Sequence, residues 1–426
     1  MLKYNEMSKE QLTEEFNKVK AEHDKFKKMS LKLDISRGKS SKEQTNLSTP
    51  ILKIIDDENE LIASNGVDTA NYGGVDGLPE MKEIYAKMLG VDPSLVIIGG
   101  NSSLNMMFDT ITRDMMFGVL NMYVPWNKLD KVKFLCPAPG YDRHYAICEL
   151  FGIEMLPIAM TDDGPDMDEI EALTAEDNSI KGIWCVPMYS NPSGITYSDE
   201  VVRRLANMKT AAEDFRIFWD NAYCVHHLVD NPKPLLNIMD ECVAAQNPDR
   251  VYIFSSMSKV TFPGAAIAAM AASERNIKHI KKLLSIQTIG PNKINQLRHA
   301  KFLKNIDNLK VHMNKNREIV APKFSLVLKK LDENLSMLNI ANYSRPQGGY
   351  FISFNGHEGT AKRIVALCLE AGVILTPAGV TFPYGHDPKD ENIRIAPTFP
   401  PISELDAAMD LFCICVKYAT LELLLK

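Results

Sequence analysis

Lys259 closes the run Ser255-Ser256-Met257-Ser258-Lys259, directly after the apolar stretch 251–254 and shortly before the chain-breaking pair Pro263-Gly264. The stretch reads as a buried strand, and an amine at its carboxyl end sits where open α/β sheets bind ligands. Partly desolvated, such an amine is primed for Schiff-base formation, and the neighbouring hydroxyls suit a phosphate. A second segment, Phe218-Trp219-Asp220-Asn221-Ala222-Tyr223, ends another apolar strand on a carboxylate. Burying Asp220 is costly without a partner. A protonated pyridine ring is such a partner, and pyridoxal phosphate would also use a lysine and a donor to its phenolic oxygen, a role open to Tyr223. Third, Cys185-Val186-Pro187-Met188-Tyr189-Ser190-Asn191-Pro192-Ser193-Gly194 is a strand followed by a turn, with Asn191 offering a donor and an acceptor. Taken singly, each segment has an ordinary reading: a solvated loop lysine, an aspartate capping the next helix, and plain turn chemistry.

The elements that must position these groups are readable from periodicity. Short β-rich runs at 95–98, 132–136, 182–186, 215–219 and 251–254 alternate with helix-length segments, which implies crossovers and a mostly parallel sheet covered on both faces. Helical sequence dominates from about 274 to 335, followed by strand-like runs at 350–354, 372–375 and 393–396 and a final helix after Pro401. Ser8 and Gln11 form a capping-box pattern ahead of Leu12, Phe16, Val19 and Phe26, an amphipathic helix reaching about Met29. Its apolar stripe has no evident partner in its own domain, which points to burial in a subunit interface.

Length and composition narrow the classes. At 426 residues the chain exceeds a single hydrophobic core, and 45% hydrophobic with 24% charged residues is a globular composition. Forty-eight basic against 54 acidic residues leave a net charge of −6, so no overall attraction to nucleic acid or anionic lipid is expected. The eight cysteines form no CxxC pair and read as buried thiols of a reducing, cytoplasmic compartment. No metal is expected, and His226-His227 lack ligand spacing. The opening MLKYNEMSKEQLTEEF lacks a signal peptide's apolar core, and the small-residue stretch 264–272 is too short to cross a bilayer.

Read together, N-P-[ST]-G at Asn191, D-x-x-Y at Asp220 and S-x-S-K at Lys259 resemble, in order and spacing, the fold-type-I pyridoxal-phosphate enzymes of the aspartate-aminotransferase superfamily. The resemblance runs over nearly the whole chain. It implies an α/β fold, a mostly parallel seven-stranded-type sheet with helices on both faces plus a smaller α+β domain. Residues 1–48 would form an arm and part of the small domain, 49–310 the cofactor domain and 311–426 the small C-terminal domain. It further implies pyridoxal 5'-phosphate as cofactor. Lys259 would be the lysine that bonds it and shuttles protons, Asp220 the pyridinium partner, Tyr223 the donor to the phenolic oxygen, and Asn191 a contact to ring and substrate. Ser256, Ser102 and Ser103 would hold the phosphate, Tyr141 would stack on the ring, and Tyr72 would reach the phosphate of the other subunit in a homodimer with shared sites. Arg394 would grip the substrate α-carboxylate, with Gly38 and Arg37 facing the substrate.

One departure stands out. The family usually places an arginine for the phosphate soon after the lysine, where this chain reads Pro263-Gly264-Ala265-Ala266-Ile267. That form, with Asp34-Ile35-Ser36-Arg37-Gly38-Lys39, is similar to the branch of MocR-like aminotransferase domains. The branch implies amino transfer between an L-amino acid and a 2-oxo acid, aspartate and 2-oxoglutarate first, with alanine or aromatic amino acids as alternatives and a sensor domain without turnover as a different class. A dicarboxylate needs a second cation, for which Arg37, Arg143, Lys293 and Arg298 are candidates.

Overall fold

Between residues 96 and 272 the apolar runs pair into one sheet, whose central strands present buried side chains to both faces. The computed structural model describes residues 3–122 and 124–426. Its strands are β1 (Leu33–Asp34), β2 (Val96–Ile98), β3 (Lys133–Ala138), β4 (Glu154–Thr161), β5 (Gly164–Pro165), β6 (Ile180–Cys185), β7 (Arg216–Asp220), β8 (Val251–Ser256), β9 (Ala268–Ala272), β10 (Asn342–Tyr343), β11 (Ile352–Asn355), β12 (Val373–Ile374) and β13 (Asn392–Ile395). The large sheet has eight strands in the order β2-β9-β8-β7-β6-β3-β4-β5, the last a two-residue edge piece. Strands β8, β7, β6, β3 and β4 are parallel, whereas β9 runs antiparallel to both its neighbours.

Alternation along the strands builds two apolar layers. Ile217, Trp219, Val251 and Ile253 face one side, and Phe218, Tyr252 and Phe254 face the other, where helices Ser103–Phe117 and Asp142–Phe151 cover them. Parallel strands covered in this way end together, and pairing of Asp220 with Phe254 and of Cys185 with Trp219 brings the carboxyl ends of β6, β7 and β8 side by side. Five strands went unread in the sequence: the two-residue β1, β5 and β10, and the longer β4 and β9. β9 is built from Ala268, Ala269, Met270, Ala271 and Ala272, residues of low strand propensity, and β4 is interrupted by Pro157 and exposes Pro157, Ala159 and Thr161.

A second apolar core gathers the long helix Ile306–Leu335, helices Ala361–Glu370 and Ile402–Leu424, the sheet β10-β11-β13 and the N-terminal segment. The expectation for the arm needs correction here. Its helix Lys9–Lys28 lays Leu12, Phe16, Val19 and Phe26 against the C-terminal helix of its own chain, with Phe16 edge-on to Tyr418 at 5.0 Å, and β1 pairs in parallel with β12. Its stripe is therefore no argument for a subunit interface. The long helix joins the two cores, because Leu309 and Met313 enter the first and Val320, Phe324 and Val327 the second. Position 310, taken above as the limit of the first body, lies within it. All eight cysteines are free, seven of them buried and Cys224 half-buried. Among the described residues no helix is long and apolar enough to cross a membrane.

Candidate active site

A cavity of about 500 Å³ opens over the carboxyl ends of β6, β7 and β8. Into it the chain brings Arg37, Gly38, Ser102, Ser103, Tyr141, Asn191, Asp220, Tyr223, Ser256, Lys259 and Arg394, eleven of the twelve residues singled out above. Tyr72 is the exception. It lies outside the cavity, 82% exposed, on a loop that Lys293 fixes by donating to the Gly73 carbonyl at 2.9 Å. That bond also commits Lys293 locally, and Arg298 lines a neighbouring cavity beyond Asn101 and Gly264. Neither lines this cavity of its own chain.

Lys259 leaves the end of β8 with its Nζ 4.9 Å above the Tyr223 ring and 5.8 Å from that of Tyr350. Burial lowers its pKa from that of a free lysine, with the charge of Asp220 opposing the shift. The amine is thus easier to deprotonate, as a nucleophile and proton carrier requires. Burial, with the charges of Tyr141 and Asp220, holds the Tyr223 hydroxyl far above its ordinary pKa, so it remains a donor at neutral pH. His226, behind the lysine, is pushed down to about 3 by burial first and Lys259 second. It is neutral at physiological pH and supplies no proton there. His227 bonds the Tyr189 hydroxyl at 2.7 Å through Nδ1.

Asp220 is 3% exposed. Its Oδ2 accepts from His144 Nε2 at 3.2 Å, while Oδ1 is buried without a partner. An orphaned carboxylate oxygen in a cavity wall costs on the order of 1–3 kcal/mol unless a ligand donor meets it. His144 itself is stacked on Trp184, ring centroids 4.3 Å apart and 10° from parallel, which locks the imidazole that orients the carboxylate. Sequence reasoning missed His144, although its place one turn into the helix begun by Tyr141 was a usable signal.

Arg394 arrives from β13 of the second core and lies over the Phe351 ring at 4.9 Å. Its Nη1 donates to Asp142 Oδ1 at 2.9 Å and to Asn191 Oδ1 at 3.4 Å, and its Nε is buried without a partner. Asp142 was also missed, since an acidic residue in a helix's first turn reads as ordinary dipole compensation. Gly38 lies under Phe351: a Cβ there would fall 2.5 Å from the ring, so only glycine brings the arm this close. On the opposite wall Ser102 caps the helix Ser103–Phe117, while Ser256 Oγ donates to Ser258 Oγ at 3.0 Å and Ser258 Oγ to the Asn101 carbonyl at 3.3 Å. Hydroxyls around a helix N-terminus form an anion cradle.

A family model described as aspartate amino-transferase matches residues 7–426. The chain belongs to this family. An aspartate aminotransferase of Corynebacterium glutamicum is 43% identical over 404 residues, covering 95% of this chain and 93% of the relative. The crystal structure of an aspartate transaminase from the same species superposes with a TM-score of 0.96 at 41% identity, covering 99% of each chain. An α-aminoadipate aminotransferase from Thermus thermophilus, complexed with N-(5'-phosphopyridoxyl)-L-leucine, shares the fold with a TM-score of 0.74 at 19% identity, covering 92% of this chain and 93% of its own. The protein is a fold-type-I aminotransferase. The cavity brings together the buried amine of Lys259, the buried carboxylate of Asp220 and the guanidinium of Arg394.

Proposed function

We propose that this aminotransferase holds pyridoxal 5'-phosphate in the cavity and transfers the amino group of L-aspartate to 2-oxoglutarate. The buried, unpaired Asp220 Oδ1 fits the cofactor: it is an acceptor awaiting the N–H of a pyridinium, and the Ser102–Ser103 helix end with Ser256 is a cradle for its phosphate. When bound, the cofactor supplies an electron sink for the bond broken at the amino acid's Cα. Lys259 Nζ takes and returns the Cα proton, Tyr223 donates to the ring oxygen, Tyr141 covers the ring, and His144 keeps Asp220 oriented. Arg394 grips the α-carboxylate shared by amino acid and oxo acid, with Asn191 beside it.

One observation carries the choice of a dicarboxylate. Arg37 and Arg143 both line the cavity, and among the described residues no ion pair engages either of them. Two unpaired guanidiniums suit a distal carboxylate and would be idle toward alanine. The 43% identical relative named as an aspartate aminotransferase supports the same reading. The test is absorbance between 300 and 450 nm: L-aspartate should bleach the resting chromophore and 2-oxoglutarate restore it. Arg37→Leu or Arg143→Leu should raise the dicarboxylate KM by roughly 10- to 100-fold relative to alanine, the worth of a charge-assisted hydrogen bond. An unchanged aspartate-to-alanine ratio in both variants defeats this substrate reading.

We also propose a homodimer in which Tyr72 reaches the phosphate cradle of the other subunit. Its exposure and its anchored loop support that role, and a donated contact compensates for the arginine absent after Pro263-Gly264. Lys259→Ala and Tyr72→Phe proteins, mixed and allowed to exchange subunits, should then regain activity, because one site of each hybrid keeps both residues. No recovery after exchange verified by mass spectrometry, or a monomer by light scattering, refutes the shared site.

A further inference from the structure

Five buried polar side chains outside the cofactor and substrate contacts form a continuous chain of hydrogen bonds that begins and ends on the lysine loop. Tyr350, 2% exposed, donates its hydroxyl to the Lys259 carbonyl at 3.3 Å and accepts from Gln44 Nε2 at 2.9 Å. Ser40 Oγ lies 3.3 Å from the same phenol oxygen. Gln44 Nε2 also donates to Asn316 Oδ1 at 3.3 Å, Asn316 Nδ2 to the His312 carbonyl at 3.3 Å, and His312 Nε2 to the Val260 carbonyl at 2.7 Å. A phenol has one proton and two lone pairs, so this arrangement uses the Tyr350 hydroxyl fully. Gln44 has no slack either, because its Oε1 accepts from Ser41 N at 2.9 Å in a capping box.

The circuit joins three parts of the site. Ser40 and Gln44 follow Arg37 and Gly38 on the arm, Lys259 and Val260 form the lysine turn, and Asn316 and His312 lie on the helix linking the two cores. Phe351, next in sequence to Tyr350, lies beneath Gly38 and Arg394. Two adjacent side chains thus point in opposite senses, one holding the lysine's backbone and the other the substrate-facing arm. We infer that Tyr350, acting with Gln44, is a positioning residue that ties the seat of the arm over the substrate to the orientation of Lys259. A lysine whose carbonyl is fixed presents its amine along one path, and the contacts of the same hydroxyl to Ser40 and Gln44 hold the arm segment that follows Arg37 and Gly38. The inference rests on Lys259 as the reacting amine.

The test uses Tyr350→Phe, which removes one hydroxyl, Gln44→Met, which removes the arm-side donor, and the two combined. Each single variant should lower kcat about 10-fold with KM changed less than about 3-fold, the loss expected when a reacting group is misplaced rather than a substrate contact removed. In substrate-free protein, amide hydrogen exchange should quicken together in residues 36–46 and 257–261. The double variant should be no slower than the worse single, because both substitutions cut one link. Additive losses in kcat, faster exchange in only one of the two segments, or a lowered Tm with kcat and exchange unchanged would overturn the inference. A wild-type protein lacking the 300–450 nm chromophore would instead defeat the cofactor reading, and the exchange measurements would still decide the link between arm and lysine turn.

Discussion

Lys259→Ala should abolish turnover, by about 10,000-fold or more, because both the nucleophilic amine and the proton carrier are lost. Among the described residues lining the cavity Lys259 is the only lysine, so no neighbour can substitute. The loss should be chemical and not a failure to fold. Burial lowers the lysine's pKa, so placing the amine in this site opposes folding. A depressed folded-state value means that the unfolded chain binds the proton more readily, so this cost is present below the unfolded lysine's pKa and vanishes only as pH rises above it. Alanine removes that cost, and the Tm of the variant without cofactor should equal or exceed that of the parent. Borohydride reduction followed by peptide mapping identifies the modified residue. A reducible adduct persisting on the same peptide in the variant would assign the chemistry to another lysine.

Asp220→Ala should lower kcat by about 100- to 1,000-fold while cofactor occupancy falls far less. With pyridoxal 5'-phosphate bound as proposed, Asp220 would matter most to the chemical step, whereas cofactor affinity would draw also on Ser102, Ser103 and Ser256 and on Tyr141 and Tyr223. His144 separates this from a packing effect. Stacked on Trp184 and bonded to Oδ2, it holds its place when the carboxylate is removed, so the pocket wall keeps its shape. Occupancy measured by absorbance of the denatured protein, alongside kcat, resolves the two. Near-normal kcat would end the assignment of Asp220.

The groups most legible in the sequence were those at strand ends. Lys259, Asp220 and Asn191 each follow an apolar run, and a sheet covered on both faces leaves such residues only one edge at which to meet. Residues that act through others were silent. His144 and Asp142 look like ordinary helix positions, and their roles emerge only when Asp220 and Arg394 come within reach from segments distant in sequence. β9 was hidden because alanines carry little strand signal, although its flanking position makes them the sheet's close-packed neighbours. The arm misled for a related reason: an amphipathic stripe announces burial without naming the surface that covers it, here the C-terminal helix. Of the four candidate cations, spacing could not separate Arg37 and Arg143, which line the cavity, from Lys293, which is held by a backbone carbonyl.

The parallel pairing of β1 with β12, and the docking of helix Lys9–Lys28 on helix Ile402–Leu424, set a schedule for biosynthesis. The large sheet draws its strands from residues 96–272, and these leave the ribosome long before residues 373–424 are made. Until then the amphipathic N-terminal helix has nothing native to cover it, and the loop to be closed spans most of the polypeptide. During that interval it is a ready binding segment for chaperones that recognise exposed apolar stripes. The arm carrying Arg37 and Gly38 is therefore translated before the large sheet yet fastened only after residues 373–424 are made, so the cavity it lines stays unassembled in the nascent chain until then.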